Sequence, residues 1–291
     1  MVARIQEPRS IGYLYIAPAL VIYGLFVLFP FIHTIYYSFF SWDGIGPKHY
    51  VGFQNYSAIV SNPTLLGAFI HAFILIFFYS ALTTCLGLVL ASIMAKSTFR
   101  GLTFFRAVLF LPYIVAPTAV AVIWRWLLAP DGPINAVLTD IGLARFAQPW
   151  LGSFNLALPT VGLVGTWVLY GLTLVLLLSA IQKIPSELYE AARIDGASAV
   201  REFFAVTLPG LRNELSVVLV LTITAALRNF DIIYVMTQGG PGTSTQVPSY
   251  DVYYTAFVLG AVGAAAAVGV VLAFLLFIVN FFVARIGSVE A

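Results

Sequence analysis

The groups that ordinarily carry covalent or metal chemistry are thin in this chain. Its single cysteine, Cys85, sits in an apolar run, so no disulfide or thiolate metal centre forms within the chain. His33, His49 and His71 are scattered without ligand spacing, so no metal site is expected. No His–Ser or paired-Asp cluster lies within the apolar stretches, which argues against an intramembrane enzyme. Gly239-Gly240-Pro241-Gly242 is a turn cluster, and no helix carrying a lysine follows it, so it does not cradle phosphate. The chain has no Gly-x-x-x-x-Gly-Lys-Ser/Thr motif and not even a Gly-Lys pair. The expectation is a non-catalytic chain without a cofactor of its own.

The polar residues that remain suit recognition of a polar solute. Thr222, Arg228, Asn229 and Asp231 interrupt an otherwise apolar stretch at 215–236. Polar groups at membrane depth are costly and usually face an internal cavity. Arg228 and Asp231 are three apart and could pair on one helix face, either as a structural ion pair or as part of a solute path. Trp167 and Tyr170 supply aromatic surface nearby. Trp124, Trp126 and Trp167 read equally as interfacial anchors or core aromatics.

A second polar feature is the segment 182–214, reading QKIPSELYEAARIDGASAVREFFAVTLPGLRNE. Ile184-Pro185 stops the preceding helix, Ser186 is placed as an N-cap, and Glu187 then meets the positive end of a helix dipole. Leu188, Ala191, Ala192 and Asp195 fall on one side of that helix, and Gly196 suits a left-handed terminating residue. Phe203, Phe204 and Val206 mark a second amphipathic piece, and Leu208-Pro209 leads out of it. Small residues flanked by charges let a partner approach the backbone closely and transmit rigid-body motion. An ordinary amphipathic connector between spans has the same pattern.

These features must be positioned by membrane helices. Of 291 residues, 61% are hydrophobic and only 9% charged, with a net charge of +2. A soluble domain carries about 25% charged residues, so much of this surface must face lipid. The small net charge gives no reason to expect nucleic-acid binding. A span needs about 20 apolar residues, and six stretches qualify: 11–33, 68–95, 107–128, 158–181, 215–236 and 257–284. Backbone groups in hydrocarbon must be satisfied internally, so these are helices. The first stretch is too long for a signal peptide and lacks a small-x-small cleavage site, so it is read as a retained span. With the N-terminus inside, one side carries Arg4, Arg9, Lys96, Arg100, Arg106, Lys183, Arg193, Arg201, Arg212 and Arg285, and the other only Lys48 and Arg145. That asymmetry predicts both termini in the cytoplasm, with outer loops at 34–67 and 129–157 and a cytoplasmic loop at 182–214. INAVLTDIGLA in the second outer loop reads as a short surface helix.

The cytoplasmic loop resembles the EAA signature of membrane subunits in binding-protein-dependent ATP-binding-cassette importers. In that signature Glu-Ala-Ala is followed by Gly, an aliphatic residue and Leu-Pro at fixed spacings. Glu190-Ala191-Ala192, Gly196, Val206 and Leu208-Pro209 meet every spacing, with Val206 where isoleucine is commoner. RNFDIIYVMTQGGPGTSTQV (228–247), the region 26–43 with VGFQNY (51–56), and RAVLFLPYIVAPTAVAVIWRWLL (106–128) are similar to carbohydrate-type permeases of the maltose and glycerol-phosphate class.

The resemblance implies an all-α, six-span type I importer permease in a bacterial or archaeal inner membrane. It implies a second homologous permease subunit, two ATPase subunits that hold ATP and Mg, an extracytoplasmic solute-binding protein and a sugar-like solute. It makes the helix bearing Glu187, Glu190, Ala191, Ala192, Arg193, Asp195 and Gly196, followed by Leu208-Pro209, the element coupled to the ATPase. Against the maltose-type permease, Asn229 coincides with a pocket asparagine, Thr222 with a pocket serine, and Leu172 with a sugar-contacting tyrosine, beside which Trp167 and Tyr170 could serve. A stand-alone secondary transporter is the alternative; such proteins usually carry coupling-ion sites and repeated halves, which this chain does not display.

Overall fold

A computed structural model describes residues 9–95 and 101–287. Arg4, Lys96 and Arg100, used above for orientation, lie outside the described residues. Contacts divide the chain into two units, residues 1–59 with 252–271 and residues 60–251 with 272–291. Among the described residues, five helices are long and apolar enough to cross a membrane, or six if one sharply bent pair is counted as a single span.

In the first unit, the first span runs through Arg9–Tyr23, a π-helical turn at Gly24–Leu28, and Phe29–Tyr37. It continues past residue 33 because polar side chains there bond within the helix. His33 and Thr34 reach back to the carbonyls of Phe29 and Pro30, each at 2.9 Å. The connection after this span is built rather than loose. Phe40–Ser41 pairs antiparallel with His49–Tyr50, and Asn55 Nδ2 donates to the Ser38 and Phe40 carbonyls. The Lys48 ammonium sits 4.5 Å from the centre of the Tyr36 ring. Asp43 accepts the N–H groups of Ile45 and Gly46, which holds its carboxyl below the usual range.

The second unit holds the elements around the polar residues. The second span begins at Pro63, earlier than residue 68, because Asn62 caps it by accepting from the Thr64 N–H and Pro63 occupies the first turn. It continues through a π turn at Phe77–Leu82 to Ala95. The expected single span at 107–128 is corrected to two helices, Leu102–Ile114 and Pro117–Leu127, bent by 93°. Val115 and Ala116 are extended, as the residue before a proline prefers, and Pro117 restarts the helix. The fourth span, Ala157–Ile181, is the most buried, whereas among the described residues the Tyr15–Tyr37 stretch buries none of its apolar window within the chain. The fifth is Arg212–Leu227, broken at 228–230 and resumed as Asp231–Met236.

The sixth helix, Val262–Gly287, starts later than residue 257 because Gly260, at φ +65°, separates it from a π turn at Tyr254–Val258. The predicted surface helix is present as Pro133–Asp140.

Close helix crossings hold the second unit together. A Cβ on Gly165 would strike the Tyr79 ring, and one on Gly171 would lie 2.2 Å from the Leu109 carbonyl oxygen. Thr173 Oγ1 donates to the Thr83 carbonyl at 3.2 Å. In lipid, such small-residue contacts replace the hydrophobic effect as the packing force.

Candidate functional site

The surface segment folds as a short helix, Ser186–Ile194, followed by Ala199–Glu202, a π turn at Phe203–Thr207, and Leu208–Gly210. Glu187 in the first turn and Arg193 in the last complement the dipole. The expected cap is corrected: Pro185 occupies the N-cap position, and Ser186 is the first helical residue. Proline without a free N–H suits that entry. At the far end Gly196 takes φ +76°, and Ala197 N–H bonds the Ala192 carbonyl at 2.9 Å. Ser198 then caps the second helix by accepting from the Arg201 N–H.

Two side-chain clips fix the Ser186–Ile194 helix against the 199–207 segment. Arg193 Nε donates to Glu202 Oε2 at 3.1 Å, and Glu202 is only 3% exposed. The Tyr189 hydroxyl lies 3.2 Å from Thr207 Oγ1. A Cβ on Gly210 would press the Ile184 side chain, so the exit also packs on the entry. Arg193 therefore braces the loop, and neither Glu202 nor Thr207 was identifiable from sequence, where each is one polar residue among many.

Glu187, Ala191, Asp195 and Gly196 are exposed, and Ala192 is half-buried. Leu188 is 52% and Ile194 87% exposed, apolar surface that the chain itself does not cover. Behind the helix is a groove of about 620 Å³ lined by Ser92, Ile181, Gln182, Tyr189, Glu190 and Arg193 among others. Leu208 is half-buried and Pro209 exposed at the exit.

The second cluster sits where the fifth span breaks. Residues 228–230 leave the helix, and a cavity of about 180 Å³ opens there. Its lining includes Tyr79, Tyr113, Pro117, Arg228, Asn229 and Asp231. The 93° bend of the third span and the fifth-span break thus bring these side chains together. Asn229 is buried, its Nδ2 has no hydrogen-bond partner among the described residues, and its main-chain carbonyl accepts from the Ser249 hydroxyl at 2.9 Å. The Tyr79 hydroxyl is likewise buried without a partner.

The anticipated Arg228–Asp231 ion pair is absent among the described residues, and both side chains are exposed. The three-residue helical offset that would align them is lost at the break. Thr222 lies outside the cavity: its hydroxyl is fully buried, 2.8 Å from both the Ser80 hydroxyl and the Val218 carbonyl, pinning the fifth span to the second. Trp167 packs edge-on against Trp124 with ring centres 5.4 Å apart. Trp167, Tyr170 and Leu172 do not line this cavity. Tyr79 and Tyr113 were missed because aromatics within apolar runs give no sign of which way they face. The proline after Val115-Ala116 was the available signal for the bend.

Comparison with known proteins agrees with this architecture. Residues 83–288 match the family model described as binding-protein-dependent transport system inner membrane component. The chain is 34% identical to the probable ABC transporter permease protein YurN of Bacillus subtilis, covering 92% of each. It is 36% identical to the diacetylchitobiose uptake system permease protein NgcF of Streptomyces coelicolor, over 87% of this chain and 75% of that protein. A crystal structure of a bacterial ABC transporter involved in alginate import contains a chain of the same fold. Its TM-score is 0.82 at 21% identity, over 96% of this chain and 95% of that one. A chain of membrane-spanning helices that matches the family model from within its second span onward belongs to the binding-protein-dependent transport system inner membrane components.

Proposed function

We propose that this chain is one of two membrane-spanning subunits of an ATP-driven importer for a sugar or related polar solute delivered by an extracytoplasmic binding protein. The observation that carries the proposal is the Ser186–Ile194 helix, clipped internally through Arg193 and Tyr189 while Leu188, Ala191 and Ile194 stay uncovered. A rigid element with an uncovered apolar face suits seating in a partner. The partner here is an ATPase subunit, which holds the ATP and Mg that this chain has no motif to bind. Both termini then lie in the cytoplasm, as the distribution of basic residues supports.

ATP closes the ATPase dimer, and the helix carries that motion to the spans. The path opens outward to receive solute, and hydrolysis resets it inward. The cavity at Asn229 is the contact point in this chain, with Arg228, Asp231, Tyr79 and Tyr113 around it. Relatives named for diacetylchitobiose, sulfoquinovosyl glycerol and multiple-sugar uptake support a carbohydrate solute.

The test is the complete complex, purified with its ATPase, second permease and binding protein, and screened against neutral and acidic sugars for stimulated ATP hydrolysis. Stimulation by at least one sugar, dependent on the binding protein, is expected. Solute uptake by this chain alone, driven by an ion gradient, would refute the reading.

A further inference from the structure

Two buried donors with nothing to bond share one cavity with an unpaired guanidinium. Tyr79 Oη and Asn229 Nδ2 are shielded from solvent and lack partners. Arg228 lines the same cavity, and its side chain makes no hydrogen bond or ion pair among the described residues. An unmade hydrogen bond to a buried group is destabilising, and an unpaired charge at membrane depth is costly. All three together make the break in the fifth span a furnished site rather than a packing defect.

The chemistry of the lining selects the ligand. The guanidinium and the amide nitrogen are donors alone, and the phenol can donate as well as accept. A neutral sugar hydroxyl brings its own donor wherever it brings lone pairs. A carboxylate, sulfonate or phosphate brings acceptors alone, and its paired oxygens match the guanidinium fork. Asp231, which also lines the cavity, offers acceptor oxygens suited to ring hydroxyls. At about 180 Å³ the cavity admits one substituent or ring rather than an oligosaccharide. Resting on the sugar-importer reading above, we propose that Arg228, with Asn229 and Tyr79, reads an anionic oxygen group on the transported sugar. Arg228 is then a specificity-determining residue.

The test uses the complete complex in proteoliposomes with its binding protein. Matched probes such as glucose and glucuronate, glucose 6-phosphate, and neutral and uronic-acid disaccharides are screened first. Arg228→Gln and Arg228→Lys complexes are then assayed for uptake at saturating loaded binding protein. The active solutes are expected to be acidic. With them, Arg228→Gln loses about tenfold or more in uptake, while Arg228→Lys, which keeps the charge but not the fork, falls between Arg228→Gln and wild type. Neutral sugars acting as well as their acidic counterparts would overturn the proposal. So would wild-type uptake by Arg228→Gln, or equal loss in both variants, which marks a packing role. If no sugar of either kind acts, the sugar-importer reading falls along with it.

Discussion

Gly171→Ala tests whether backbone contact between the third and fourth spans sets the cavity wall. An added Cβ would lie 2.2 Å from the Leu109 carbonyl oxygen and 2.8 Å from the Phe110 Cα. Ordinary contact begins near 3.4 Å, so the helices must separate by roughly 1.2 Å. Because the obstruction is backbone, no side chain can rotate away. Overpacking of this kind costs about 1–3 kcal/mol, of which up to about 1 kcal/mol is returned by alanine's higher helix propensity.

The net loss should lower the melting temperature of the detergent-solubilised complex by a few degrees. Leu109 and Phe110 lie one turn before Tyr113, so solute-stimulated ATP hydrolysis should fall as well. Gly67→Ala is the control, since its Cβ meets nothing within 4 Å and it sits inside the Pro63–Ile76 helix. A Gly171→Ala complex that melts with or above the Gly67→Ala complex would refute the reasoning.

Other perturbations address the 182–214 segment and the Pro248–Tyr253 helix. Gly196→Asp places a side chain at φ +76°, costing about 1 kcal/mol locally, and should abolish solute-stimulated ATP hydrolysis while the chain still inserts in the membrane; intact coupling would count against the assignment. Arg193→Ala removes a donor from the buried Glu202 carboxylate. Because Arg193 is itself 60% exposed, a loss of only about 1–2 kcal/mol is expected, read as weaker coupling that Glu202→Gln in the same chain partly restores. Burial pushes the Asp251 carboxyl, in the Pro248–Tyr253 helix, up to about 7. The folded form therefore holds the proton more tightly than the unfolded one, and its contribution to stability is full below the ordinary value of 3.8 and lost as pH rises through about 7. Asp251→Asn should flatten the melting temperature between about pH 4 and about pH 7, and an unchanged pH slope would exclude Asp251 as its source.

Much of the 182–214 segment was legible because its signals are local. The dipole-matched charges at Glu187 and Arg193, the terminating Gly196 and the exit at Leu208-Pro209 depend on neighbours within a few residues. The bracing Arg193–Glu202 bond spans nine positions between two short helices, and no periodicity marks it. The cavity at the fifth-span break was less legible still. Asn229 and Arg228 stood out as polar residues in an apolar run, yet nothing in that run distinguished Thr222, which bonds to Ser80 in the packed interior, from a cavity residue.

By itself the sequence determined the spans, because lipid demands long apolar stretches whose backbone bonds internally. It also determined the helix bearing Glu190-Ala191-Ala192 and its left-handed terminator Gly196, because such signals act at short range. Only the tertiary structure decided that the third span bends by 93° and the fifth breaks at 228–230, so that Tyr79, Tyr113 and Asn229 face one cavity. Which side of a uniformly apolar helix turns inward is settled by the fit of neighbouring helices, such as Gly171 against Leu109, and that fit leaves no mark in composition or period.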